Sequence, residues 1–174
     1  MNQSYGDITI RDAHAQDAHQ LCLWWNDGAV MAHAGFPNGL GTTEEKIIRQ
    51  LEEQSSKHYR HVIMYQNRLI GEMNYREITP EECEIGIKIC DVSMQNKGLG
   101  KKILSLFINA LFCEYSYQKI ILDTNLTNTR AQHVYEQLGF QKLRVNTDSW
   151  KDQLGQLQSS VDYELTKEHF VSYL

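Results

Sequence analysis

The sequence has few prolines, no long apolar run and no recognisable targeting segment. Pro37 and Pro80 are its only prolines, and no repeat or low-complexity stretch marks an interdomain linker. The length of 174 residues therefore predicts one domain over residues 1–174. No apolar stretch approaches the roughly 18 residues of a membrane span, and the N-terminus lacks the basic and apolar regions of a signal peptide. We expect a cytoplasmic protein without a membrane segment.

Paired cysteine motifs are also absent. The four cysteines are spread through the chain: Cys22, Cys83, Cys90 and Cys113. Without a Cys-x-x-Cys pair, this pattern favours buried, reduced thiols over disulfides or a zinc site. The histidines offer no convincing His-x-x-x-His pair in a predicted helix, so we expect no metal.

Positive charge is in deficit. The chain has 22 Asp and Glu against 17 Lys and Arg, a formal net charge of -5. Proteins that bind nucleic acid or anionic membranes need basic patches, so this balance argues against both kinds of partner. A hydrophobic content of 41% argues against disorder.

Apolar periodicity predicts a mixed α/β protein. Period-2 runs predict strands at 7–11, 61–65, 69–75, 82–90, 119–124, 140–145 and 161–165. Helical spacing predicts helices after Asp17, at 44–54, after Lys102 and at 131–138. Residues 29–43 and 146–160 are predicted to be loops. The order β-α-α-β-β-β-α-β-α-β-β favours a layered α/β architecture.

The most informative segment is Gln95-x-x-Gly98-x-Gly100, which lies between a predicted strand and a predicted helix. Glycines at a helix N-terminus let the backbone approach a ligand closely. The free N–H groups and the helix dipole there favour phosphate oxygens. Lys97, Lys101 and Lys102 add positive charge to an otherwise acidic protein. The segment predicts a phosphate-binding loop, with a flexible basic loop as the alternative.

Two common phosphate loops are excluded at this segment. A P-loop needs glycine where Gln95 stands and Ser or Thr where Lys102 stands. A Rossmann fingerprint needs Gly or Ala where Ile103 stands. The ligand is therefore expected to carry phosphate without being a P-loop nucleotide or a Rossmann dinucleotide.

Several segments in the right order resemble the GNAT (GCN5-related) N-acetyltransferases. Residues 95–100 match the family's Gln/Arg-x-x-Gly-x-Gly/Ala signature, and residues 84–89 look like its fourth strand. Residues 128–140 match its Asn-x-x-Ala…Tyr-Glu-x-x-Gly-Phe pattern. The start at 8–11 and the last strand at 161–165 extend the likeness to nearly the whole chain. The resemblance implies a central twisted mixed sheet with about four flanking helices.

The same resemblance implies acetyl-coenzyme A (acetyl-CoA) as cosubstrate and an amine as acceptor. It implies backbone contacts to the pantetheine arm from Lys88, Ile89 and Cys90, and to the pyrophosphate from Gln95, Asn96, Lys97, Gly98, Leu99, Gly100 and Lys101. Asn128 would contact the pantetheine arm, cap the following helix, or do both. No metal is implied, and the amine would attack the acetyl group directly.

The resemblance also places Tyr135 beside the cosubstrate as the acid that protonates the leaving thiolate. A phenol with a pKa near 10 holds its proton at neutral pH, although Tyr135 also fits a core aromatic. A general base is expected for the amine. Glu84, Asp123 and Glu72 are the candidates, and each also fits a solvated or ion-paired carboxylate.

The acceptor is the least determined feature. Trp24-Trp25-Asn26-Asp27 and the acidic, Trp150-containing stretch at 146–160 suit a cationic amine. The chain looks most similar to aminoglycoside 6′-N-acetyltransferases and to acetyltransferases of ribosomal-protein N-termini. A small cationic amine, an aminoglycoside and a protein N-terminus all stay open. The alternatives are a non-catalytic acyl-CoA-binding module and a surface for homodimerisation around the two tryptophans or a hairpin edge.

Overall fold

The computed structural model describes residues 1–174. Its strands are β1 (Asn2–Tyr5), β2 (Ile8–Asp12), β3 (His58–Tyr65), β4 (Arg68–Thr79), β5 (Glu82–Ile89), β6 (Lys119–Asn125), β7 (Gln141–Lys151) and β8 (Leu157–Thr166). They form one eight-stranded sheet in the order β1-β2-β3-β4-β5-β6-β8-β7. Only β5 and β6 pair in parallel. The prediction of a mixed α/β fold is confirmed.

Helices cover the two faces of this sheet unequally. They are α1 (Ala18–Asn26), α2 (Gly28–Met31), α3 (Glu44–Glu52), α4 (Leu99–Cys113) and α5 (Thr129–Gln137). On what we call the first face, α4 and α5 pack over a large apolar core. On the second face, α1 to α3 pack over a smaller one. No helix is long and apolar enough to cross a membrane.

The core of the first face follows from the spacing of apolar residues on α4. Ile103, Phe107, Ile108 and Leu111 are fully buried there, at the spacing that places side chains on one side of a helix. Burying a side chain of this size stabilises the fold by about 1.5–3 kcal/mol. This packing fixes the position of the N-terminus of α4, which is the end that carries the glycine-rich segment.

The predicted loop at 146–160 is wrong, and the one at 29–43 is confirmed only for 35–43. Most of 146–160 belongs to the hairpin of β7 and β8, which leaves only 152–156 as a turn. Most side chains of β7 are exposed, and beyond the predicted strand at 140–145 its residues are mainly polar, so this part of the edge strand lacks the period-2 pattern of a half-buried strand. The predicted loop at 29–43 overlaps the short helix α2, which gives five helices where about four were expected.

A gap opens in the middle of the sheet. β5 and β6 pair only at Glu82–Lys119, Cys83–Ile120 and Glu84–Ile121. Beyond these pairs, β5 stays on β4 as far as Ile89, and β6 stays on β8 as far as Asn125. The two strands therefore diverge, and the backbone edges of 85–89 and 122–125 face a space between them.

Candidate active site

A cleft of about 490 Å³, which we call the first cleft, lies at this gap on the first face. It is bounded by the end of β5, the segment 92–98 and the N-terminal parts of α4 and α5, and Ala29, Val30 and His33 reach it from the side of α2. The structure brings ten of the predicted site residues to its wall: Lys88, Ile89, Gln95, Asn96, Gly98, Leu99, Gly100, Lys101, Asn128 and Tyr135. The sequence motifs 95–100 and 128–135 therefore meet in space.

Cys90 and Lys97 do not line the first cleft. Cys90 is buried in the core of the second face, and its backbone N–H already donates to the carbonyl of Ile70. Burial also raises the pKa of its thiol. Cys90 lies just beyond the end of β5 at Ile89, so the structure does not bring it to the wall of the first cleft as the resemblance implied.

The N-terminus of α4 presents free backbone donors to the first cleft. Gly98 has φ of 74°, a left-handed conformation that glycine adopts without strain. The N–H groups from Asn96 to Lys101 donate no hydrogen bond within the protein. The side chain of Gln95 ties this loop to β5, because its Nε2 donates to the carbonyl of Ile89 at 2.8 Å. The result is a helix N-terminus built to receive an anion.

Arg130 is a site residue that sequence reasoning missed. Its guanidinium lines the first cleft and donates to Asn96 Oδ1 at 3.2 Å and to Gln95 Oε1 at 3.1 Å. A cation in the first turn of a helix interacts unfavourably with the helix dipole. This unusual position of Arg130 could have marked it in the sequence as a candidate site residue. Neither Arg130 nor the lysines at 97, 101 and 102 form an ion pair.

Tyr135 lies on α5, where it is buried at the wall of the first cleft. The ring packs edge-on against Phe140 and Tyr163, with centroids 5.7 and 5.9 Å away. Its hydroxyl forms no hydrogen bond with the protein. Burial, and to a lesser degree the charge of Asp123, raises the pKa of Tyr135 to about 12. The phenol is thus both a core aromatic and a firmly protonated donor.

Asn128 also combines its two predicted roles. Its Oδ1 accepts a hydrogen bond from the backbone N–H of Ala131 at 3.3 Å, which caps α5. The same residue lines the first cleft. The cap fixes where α5 begins, and so it positions Tyr135 two turns further along the helix.

The three candidate carboxylates differ in how they are engaged. Glu84 accepts from Arg76 Nε at 3.0 Å. Glu72 is buried and accepts from Trp25 Nε1 at 2.8 Å and from the guanidinium of Arg60. Asp123 forms no ion pair, and partial desolvation with the nearby charges of Glu84 and Asp162 raises its pKa. Asp123 is therefore the candidate that is free to accept a proton.

A second cleft of about 460 Å³ lies on the second face. Its walls include Trp25, Met31, Leu40, Lys46, Arg60, Glu72, Asn74 and Lys88. Lys88 borders both clefts, with its strand between them. The two spaces therefore approach each other at this residue, from opposite faces of the sheet.

The predicted acceptor region is only partly placed at the second cleft. Trp25 lines it, whereas Trp24 is buried in the core without doing so. Both tryptophans are under 9% exposed, so they do not form the self-association surface considered from the sequence. Trp150 packs on Gly35, where an added Cβ would lie 2.4 Å from its ring, and this contact holds the hairpin of β7 and β8 against the loop after α2.

Comparison with solved structures gives the same overall fold. Spermidine N-acetyltransferase from Vibrio cholerae, in complex with CoA and spermine, matches with a TM-score of 0.84 at 20% identity, covering 94% of this chain and 97% of that one. The RimL ribosomal L7/L12 α-N-protein acetyltransferase in complex with CoA matches with a TM-score of 0.84 at 15% identity, covering 95% and 98%. A GNAT-family acetyltransferase from Bacillus anthracis matches with a TM-score of 0.80 at 19% identity, covering 97% and 99%.

No curated protein sequence matches the chain. The sequence profile of the acetyltransferase (GNAT) domain matches residues 7–141. That range contains the segment 95–100, the gap between β5 and β6, and Tyr135. The match takes in most of the chain, and the sheet, the gap and the glycine-opened helix agree with it. The chain belongs to the GNAT acetyltransferase family and is an N-acetyltransferase.

Proposed function

We propose that the protein transfers the acetyl group of acetyl-CoA directly to a primary amine within a ternary complex. The observation that carries this proposal is the pair of clefts on opposite faces of the sheet, which approach each other at Lys88. A donor in the first cleft and an acceptor in the second would meet at the gap between β5 and β6. No covalent enzyme intermediate is then needed.

The first cleft suits coenzyme A. The free N–H groups at 96–101, with Arg130 and the nearby lysines, match a pyrophosphate. The diverging edge of β5 at Ile87–Ile89 offers backbone groups to the amides of a pantetheine arm. Two structures with the same fold hold CoA, which supports this assignment.

The proposed reaction uses one acid and one base at the gap. The amine lone pair attacks the acetyl carbonyl carbon, the C–S bond breaks, and the thiolate of CoA leaves. Tyr135 donates its phenolic proton to that thiolate. Asp123 accepts the proton that the attacking amine loses. Glu84 and Glu72 are weaker candidates for the base, because each already accepts hydrogen bonds from an arginine.

The acceptor proposed from the sequence is a small cationic amine, an aminoglycoside or a protein N-terminus. Carboxylates on the second face beside the gap support an acceptor whose amine is protonated in solution: Glu84, Asp123, Asp162 and Glu164. The solved relatives are named for spermidine and for ribosomal L7/L12, and both are amine substrates.

Two measurements test the proposed function. Calorimetry should show that acetyl-CoA binds, and a screen of aminoglycosides, polyamines and N-terminal peptides should release free CoA thiol with at least one amine. Binding without thiol release from any amine would favour the alternative of a non-catalytic acyl-CoA-binding module. Absence of binding would reject the assignment of the first cleft.

A further inference from the structure

The charge of the second cleft points to a narrower class of acceptor. We propose that this cleft binds a small primary amine that carries a carboxylate close to its amino group, as an amino acid does. The inference rests on the proposed function, because it assumes that the acceptor enters from the second face.

The second cleft is positively charged in a chain of net charge -5. Its lining holds three cationic side chains, Lys46, Arg60 and Lys88, against the single carboxylate of Glu72. Arg60 and Glu72 form an ion pair with each other, which leaves the two lysines unbalanced. A purely cationic acceptor would be repelled here.

Lys88 is the strongest indication of an anion. Its side chain is 25% exposed, and its Nζ lies 4.0 Å from Glu72 Oε1, too far for a hydrogen bond. Both oxygens of Glu72 already accept, one from Trp25 and one from Arg60. The only hydrogen bond of this ammonium within the protein is to the weakly accepting Met31 Sδ at 3.0 Å, and its one anionic neighbour, Glu72, is shared with Arg60. A half-buried ammonium with so few partners favours an additional anion.

Asn74 provides a second free polar group in the same cleft. It lines the cleft, and its side chain forms no hydrogen bond within the protein. It lies over Gly86, where an added Cβ would be 3.2 Å from Asn74 Oδ1. In the pairing of β4 with β5, Asn74 lies opposite Gly86 and Glu72 lies opposite Lys88. These two pairs are neighbours on the same face of the sheet. The amide can therefore donate to an anion held by Lys88.

The strand register then places the two charges of such an acceptor. Glu84 pairs with Ile121, so Asp123 comes two residues further on the same face as Glu84 and Lys88. The gap beside Asp123 and the ammonium of Lys88 therefore lie on the same face of the sheet, as an acceptor with an amino group and a nearby carboxylate requires. Trp25, Met31 and Leu40 form the apolar part of the wall, which suits an uncharged side chain on the acceptor.

Matched acceptors test this inference directly. Leucine, leucinamide and 3-methylbutylamine share one side chain and differ in the carboxylate and in the basicity of the amine, as do phenylalanine, phenylalaninamide and phenethylamine, so kcat/KM is compared per unprotonated amine. A charge-assisted hydrogen bond contributes about 1.5–3 kcal/mol, so we expect the acid to exceed its amide in kcat/KM by about 10- to 100-fold. Lys88→Met should reduce that preference to near unity, and Asn74→Ala should reduce it severalfold.

Lys167→Met is the matched control, because Lys167 is an exposed lysine outside both clefts, and it should keep the wild-type preference. If Lys88→Met does not fold, Lys46→Met provides a second test. It removes the other unbalanced cation of the second cleft from an exposed position, and it should also reduce the preference for the carboxylate. If the enzyme acetylates amines without preferring those that carry a carboxylate, or if it prefers polyamines or aminoglycosides, this inference is overturned while the proposed function stands. A preference that persists in both lysine variants would also overturn it, whereas no thiol release with any amine would reject the proposed function itself.

Discussion

The two clefts lie mainly on opposite faces of one sheet and have only Lys88 in common among their lining residues. The first cleft presents mainly backbone: free N–H groups at the start of α4 and the unpaired edge of β5. The second cleft presents side chains that come from α1, α3 and three adjacent strands. A site made of backbone groups is suited to a cosubstrate that stays the same, because substitutions do not remove those groups. A site made of side chains can change its specificity by single substitutions. This difference agrees with the proposed function, in which the donor binds in the first cleft and the acceptor in the second.

The largest expected effect is that of Tyr135→Phe, which tests whether the first cleft performs chemistry as well as binding. A general acid contributes roughly 10²- to 10⁴-fold, so kcat should fall by that order. The affinity for acetyl-CoA should stay close to that of the wild type, because the ring and its packing against Phe140 and Tyr163 remain. Pre-steady-state thiol release and calorimetry measure the two quantities separately.

A pH profile sharpens this test. Burial raises the pKa of Tyr135 to about 12, so the phenol stays protonated through the usual assay range. Tyr135 should therefore cause no alkaline loss of activity in the wild type. Equal kcat for Tyr135→Phe and wild type at every pH would show that Tyr135 is only a core aromatic.

Gly100→Glu should break the first cleft without touching the second. A carboxylate at this position would oppose the phosphates, and a like-charge contact costs several kcal/mol, so acetyl-CoA affinity should fall by about 100-fold or more. An added Cβ at Gly100 meets nothing within 4 Å, so Gly100→Ala is a matched control for folding and space. Unchanged affinity in a folded Gly100→Glu protein, measured by calorimetry, would contradict the phosphate site.

The difference between the clefts also explains what the sequence could predict. The mixed α/β fold and most of the first cleft follow from local patterns, because Gln95 to Gly100 and Asn128 to Tyr135 are short continuous segments. The apolar spacing of α4 then fixes where those segments lie. Such segments carry their chemistry in a contiguous pattern that can be recognised without knowing the fold.

The second cleft could not be predicted in the same way. Trp25, Lys46, Glu72 and Lys88 are far apart in the sequence, and only the pairing of β3, β4 and β5 with α1 and α3 above them brings these residues together. The overall acidic charge favoured a cationic acceptor, whereas the local charge of this cleft is positive. The hairpin at 146–160 was missed because an exposed edge strand has no apolar alternation.

Asp123→Asn tests the base on the second face of the gap, with a smaller expected effect. General bases contribute roughly 10²- to 10⁴-fold, and we expect about 100-fold at most, since water can reach this exposed side chain and replace it. Desolvation by the surrounding residues and, to a lesser degree, the charge of Glu84 raise the pKa of Asp123. In the wild type, kcat should therefore fall as the pH drops through that raised pKa.

Glu84→Gln separates the two carboxylates. It removes a negative charge beside Asp123, so the acidic limb of the pH–rate profile should move to lower pH while kcat at neutral pH changes little. In Asp123→Asn the limb should disappear. A larger loss of kcat in Glu84→Gln than in Asp123→Asn would reverse the assignment and make Glu84 the base.

The smaller of the two expected losses of acetyl-CoA affinity is at Arg130, where the loop of the first cleft meets α5. Arg130→Met removes one cation near the phosphates and the two hydrogen bonds to Gln95 and Asn96. Losing one charge-assisted contact of about 1.5 kcal/mol should weaken acetyl-CoA binding by roughly tenfold. Arg130→Lys keeps the charge but cannot hold both side chains with one planar fork, so it should recover affinity only in part. A full recovery would mean that charge alone matters at Arg130, and an unchanged affinity in Arg130→Met would place the phosphates further along α4, near Lys101.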